Sequence, residues 1–134
     1  MHSRLLNVLV SAGMLVAAAL PVAAHHSFSA EFDSSKPITL EGTVVEMEWV
    51  NPHSWLVIDV PKPDGTVDRW RLEGGSPGVL LRLGWNRNSL PVGTKIKVTA
   101  FQAKDSALRG STRSIEFPDG RKLSLGSSST EEKK

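Results

Sequence analysis

Apolar residues are distributed in three ways along this chain: one unbroken run, several alternating stretches and one short helical stripe. The run comes first. Met1-His2-Ser3-Arg4 is a short basic start, and Leu5 to Leu20 is almost wholly apolar. That run is shorter than the roughly 20 residues that span a bilayer. Pro21 ends it, and Val22-Ala23-Ala24 sets small residues before a cleavage point. A basic head, an apolar middle and a small-residue exit describe a secretory signal peptide. Residues 1–24 are expected to be removed on export, which places the chain in the periplasm or outside the cell; an uncleaved anchor is the alternative. No Cys follows for lipid attachment, no twin-Arg pair precedes, and no later run has spanning length. No membrane span is therefore expected after cleavage.

Residues 25–37 are polar apart from Phe28, Phe32 and Ala30 and predict an extended N-terminal arm docked by the two Phe side chains. From Ile38 to Val50, Thr39, Glu41, Thr43, Val45, Met47 and Trp49 fall on one face. Leu40, Gly42, Val44, Glu46 and Glu48 fall on the other. This is a long, imperfectly alternating strand, in which the glycine marks a bulge or sharp bend. Asn51-Pro52-His53 breaks it as a turn. Ser54 to Val60 is a nearly continuous apolar strand, hence a central one, and Pro61-Lys62-Pro63-Asp64-Gly65 turns the chain again. Val67 to Glu73 sets Trp70 and Leu72 against Arg69 and Arg71.

The period then changes. Ser76 suits a helix N-cap, Pro77 its first position and Gly84 its end, with Val79-Leu80-Leu81 and Leu83 as the apolar stripe. Lys95 to Gln102 is a fourth strand and Ala103 to Gly110 a loop. Ser111–Phe117 and Arg121–Leu125 form a hairpin across Asp119-Gly120. Residues 126–134 are low-complexity and predict a disordered tail. Three strands, a helix and two or three strands give an all-β fold with one short helix: a small OB-like β-barrel of five to six strands over residues 38–125. An SH3-like or other small barrel is the alternative.

Composition narrows the chemistry. The chain has 134 residues, a formal charge of +2 and no Cys. Disulfides and thiolate-held zinc or iron–sulfur sites are excluded. So small a charge on an exported chain argues against a nucleic-acid partner. Gly74-Gly75-Ser76-Pro77 lacks the lysine of a phosphate loop, and no Gly-x-Ser-x-Gly elbow occurs. Glu46/Glu48 and Asp64/Asp68 sit where carboxylates are normally solvated. No nucleophile–base pair is evident, and enzymatic activity is not expected.

The strings His25-His26-Ser27-Phe28-Ser29-Ala30-Glu31-Phe32-Asp33, Leu40-Glu41-Gly42-Thr43-Val44 and Glu48-Trp49-Val50-Asn51-Pro52-His53-Ser54-Trp55 stand out. So do Gly75-Ser76-Pro77, Gly84-Trp85 and Asp119-Gly120-Arg121. Together they resemble a family of small exported bacterial proteins that is a domain of unknown function. The resemblance covers nearly all of the chain after the leader. It implies an exported small β protein and supplies no activity or catalytic residues.

Histidine is the remaining source of chemistry. Cleavage after Ala24 makes His25 the N-terminal residue, whose α-amine and ring Nδ1 can close a chelate on one metal ion. His53 is the candidate third nitrogen, and His26 can contribute through its amide and ring. Such a nitrogen set, a histidine brace, suits tetragonal Cu(II). Glu31 and Asp33 are possible oxygen ligands. The competing reading is an accessory module that binds an envelope protein or small ligand on the barrel face at Trp49, Asn51 and Trp55.

Overall fold

A computed structural model of the protein describes residues 28–127. The expected signal peptide, His25, His26 and all of the expected tail after Ser127 lie outside the described residues. The elements are α1 (Phe28–Glu31), β1 (Phe32–Glu48), β2 (Trp55–Pro61), β3 (Val67–Glu73), α2 (Pro77–Arg82), β4 (Lys95–Ala103), β5 (Arg109–Glu116) and β6 (Lys122–Leu123). The strands form one sheet in the order β3-β2-β1-β4-β5-β6, and β3 also pairs with β5. Five strands thus close a ring, with β6 attached to β5. Every pairing is antiparallel except β3–β5, which runs parallel through Arg71–Glu73 and Arg109–Ser111. This is the expected OB-like, all-β arrangement with a helix between the third and fourth strands. Among the described residues there are two short helices rather than one, because the arm winds into α1 before it becomes strand.

β1 begins at Phe32, inside the stretch expected to be an arm. Phe32 pairs with Ala103, the register shifts, and continuous pairing resumes from Pro37 opposite Phe101 to Thr43 opposite Lys95. A second shift lies between Val44 and Glu46, against β2. This β-bulge explains the imperfect alternation: Ile38, Leu40 and Val44 face the core before it, and Met47 and Trp49 pack against the core after it. Gly42 is required by a close approach, since a Cβ there would sit 2.7 Å from the Asp59 carbonyl oxygen.

β2 lies between β1 and β3 and buries Leu56, Val57 and Ile58, as its apolar run predicts. Leu72, Leu80, Val98, Ile115 and Leu125 complete the centre of the core. Helix α2 follows its caps: the Ser76 hydroxyl accepts from the Val79 N–H at 3.3 Å, Pro77 opens the helix, and Gly84 (φ +87°) follows the C-cap Leu83. Leu80 is buried, while Leu81 and Leu83 are exposed. Trp85 is buried and its Nε1 donates to the Ser124 carbonyl at 2.9 Å.

The chain after β6 closes the remaining gap. Gly75 N–H donates to the Leu125 carbonyl at 2.8 Å, and the Ser127 hydroxyl donates to the Thr112 carbonyl. Gly126 and Ser127, expected in the disordered tail, are buried. A Cβ on Gly75 would collide with the Gly126 carbonyl, so these small residues are what allow the two segments to meet. Among the described residues no helix is long and apolar enough to cross a membrane.

Candidate functional site: the His53–Glu73 corner

The β1–β2 loop carries His53 between Pro52 and the fully buried Ser54; the Asn51–Pro52 bond is cis. Ser54 N–H donates to the Gly75 carbonyl at 2.9 Å, and the Ser54 carbonyl accepts from Gly74 N–H at 2.8 Å. The backbone next to His53 is thereby fixed to the end of β3. His53 Nδ1 lies 3.2 Å from Oε1 of Glu73; the imidazole is 36% exposed and the Glu73 side chain 7%. The two groups are in contact, but His53 Nδ1 makes no hydrogen bond among the described residues. Because Nδ1 is itself buried, the accessible part of the ring lies away from it, on the Nε2 side.

Register explains how a glutamate comes to be buried here. Leu72 points into the core, so Glu73 points outward. Glu73 is opposite Ser111 of β5, and Ser111 is opposite Phe101 of β4. Cross-strand partners share a face, so the three side chains form one outer row. Helix α1 docks over the end of that row. Phe28 meets Phe101 edge-on at 5.5 Å and stacks on Phe32 at 5.8 Å, and with Ala103 they form a second small core. Lys104 ties the helix down, its N–H donating to the Glu31 carbonyl at 2.9 Å and its Nζ to the Ser29 carbonyl at 2.6 Å.

Burial pushes the Glu73 carboxyl above the usual carboxylate range. A positive His53 opposes that shift, the charge of Glu31 adds to it, and Arg109 opposes it. Ser54 Oγ, Ser111 Oγ and Arg109 Nε are also buried without a protein partner, so polar capacity is concentrated around Glu73. Glu73, Ser111 and Arg109 were not apparent as site residues in the sequence. A glutamate ending an alternating strand reads as solvated, and only the β3–β5 pairing and the docked arm bury it.

Of the expected metal ligands, His53 alone among the three His lies in the described residues. Glu31 is at the same corner. Asp33 is occupied in a turn, its carboxylate accepting from Ser35 N–H at 3.0 Å and Ser35 Oγ at 2.6 Å. Among the described residues no group of three His, Asp or Glu is arranged to hold a metal ion. Of the expected ligand face, Trp55 carries the Arg71 guanidinium 4.1 Å from its ring centroid, and Arg71 Nη2 also bonds Glu48 at 2.7 Å. Trp49 carries Arg87 at 5.8 Å and packs partly on the core, while Asn51 is exposed. Both indoles already have a cation over one face.

No curated protein and no solved structure matches the chain. Residues 12–113, which take in the docked arm, β1 to β4 and the first half of β5, match the family of unknown function DUF6152, and the chain belongs to that family.

Proposed function

We propose that the protein is an exported, periplasmic binding domain that captures Cu(II) between its freed N-terminal residue, His25, and His53. The His25 amine and ring supply two nitrogens, and His53 supplies a third through Nε2. The observation that carries the reading is the His53–Glu73 contact. A carboxylate beside the non-coordinating nitrogen is a usual neighbour of a metal-binding imidazole, and Glu73 stands 3.2 Å from that nitrogen of His53, leaving Nε2 for the metal. The chain's reach agrees. Phe101 and Glu73 stand two strands apart, about 10 Å, and three residues from Phe28 back to His25 also span about 10 Å. His26 is the arm's alternative nitrogen. A free amine with a pKa of about 7.7–8.0 makes copper compete with a proton, so affinity should rise toward mildly alkaline pH.

Protein beginning at His25 and a twin carrying one extra Met before it separate the possibilities by Cu(II) titration and EPR. The extra residue should weaken binding and change the spectrum. Equal affinity and equal spectra overturn the brace. His53→Ala should weaken binding, and Glu73→Gln should do so to a lesser degree. Mass spectrometry of the secreted chain reads the cleavage point directly. Should His53→Ala and the twin both bind copper like the parent, docking of an envelope protein or small ligand at Trp49, Asn51 and Trp55 becomes the better account.

A further inference from the structure

A groove of about 460 Å³ lies well away from His53, where β2 parts from β1. The β1–β2 and β1–β4 pairings both run as far as Thr43, opposite Asp59 and Lys95, and toward the N-terminus β1 continues with β4 alone. Pro61 then bounds one side of the opening, and Phe117 and Pro118 of the β5–β6 turn bound another, with Gly42 and Ile96 also lining it. The surface beneath is mainly apolar, and the volume lies within the range of about 300–1,000 Å³ typical of small-molecule sites.

The charges around it are unequally matched. Lys97 Nζ is 3.1 Å from Glu41, and Lys122 Nζ is 3.2 Å from Glu116. Lys95 also lines the groove and is exposed, and it makes no ion pair with a described carboxylate. One unmatched ammonium beside an apolar floor favours an anion with an apolar body. Glu41 and Glu116 flank the same opening and would repel a second negative charge. We propose that this groove binds a small organic monocarboxylate with an aromatic or branched aliphatic body, the body on the floor and the carboxylate at Lys95. The site is independent of copper: Thr43 and Glu48 are five residues apart along β1, about 16 Å.

The test is an NMR titration of the metal-free exported chain with 3-phenylpropanoate, its neutral amide and acetate. With 3-phenylpropanoate, amide shifts should group at Gly42, Thr43, Ile96 and Phe117 and saturate at about millimolar concentration, as suits a ligand of this size. The amide should bind about fivefold more weakly, the scale of one exposed ion pair. Acetate should leave the floor amides unmoved. Lys95→Gln should bring acid and amide to equal affinity while the dispersion of the β1–β4 amides stays unchanged. The proposal is overturned if no shifts appear up to about 10 mM, if they scatter over the barrel, or if the parent binds acid and amide equally.

Discussion

Phe28→Ala tests whether the arm is a separately held unit. Phe28 is 5% exposed and Phe32 2%, and their cluster with Ala103 and half-buried Phe101 is distinct from the main core. Truncating a buried Phe costs about 3–5 kcal/mol when the surroundings cannot collapse. Here the loss should fall on the arm alone, because the register shift between Phe32 and Pro37 separates its pairing from the continuous β1–β4 ladder. The Lys104 amide reports on it, since it donates to the Glu31 carbonyl of α1. A loss of about 3 kcal/mol should speed hydrogen exchange at Lys104 by about 100-fold, while the amides of Val98 and Ile115 keep their protection. On the proposed copper reading, affinity should fall by no more than that factor, since the arm is what would present His25 to His53. The reasoning fails if Lys104 exchange is unchanged. It also fails if the core amides accelerate in step with it, which would make arm and barrel one cooperative unit.

Gly75→Ala forces a Cβ onto the Gly126 carbonyl, with backbone on both sides, and should lower stability by about 3 kcal/mol in a urea titration. Trp85→Phe removes the indole donor from the Ser124 carbonyl and should cost about 1–2 kcal/mol by the same measurement. Hydrogen bonds from Arg69 hold the Asp59 carboxyl below its ordinary value of 3.8, and those from Thr66 do the same for Asp64. Their folded pKa values are depressed, so the stability they add is present above pH 3.8 and is lost as pH falls through the folded values. The urea midpoint should therefore drop on acidification below about pH 4, and Asp59→Asn should make that drop shallower.

Much of the barrel could be read directly because its signals are local. Ser76, Pro77 and Gly84 set the limits of α2, Asp119-Gly120 marks the β5–β6 turn, and the run Leu56-Val57-Ile58 identifies a strand buried on both faces. What escaped depends on distant partners. Asp33 to Lys36 are polar and read as part of an arm, yet they carry the chain from Phe32 into the ladder beside β4. Gly126 and Ser127 read as low-complexity tail, yet their small size is what lets them pack between Gly75 and Thr112. The same division holds at the site. Asn51-Pro52-His53 advertises a loop histidine, whereas Glu73 becomes notable only once β3 meets β5 and α1 covers the row they share.

The strap from Leu125 to Ser127 also governs when the molecule can finish folding. Just beyond β3, the bond from Gly75 N–H to the Leu125 carbonyl joins residues fifty positions apart. Phe117 and Leu125, both core residues, lie beyond residue 113, where the family match ends. A fragment trimmed to residues 12–113 would therefore lose these side chains and the β4 pairing of Ile115 and Glu116, and expose the core rather than behave as a domain. The ring cannot seal until this segment is in place, so its closure joins parts of the chain far apart in sequence and comes late in folding.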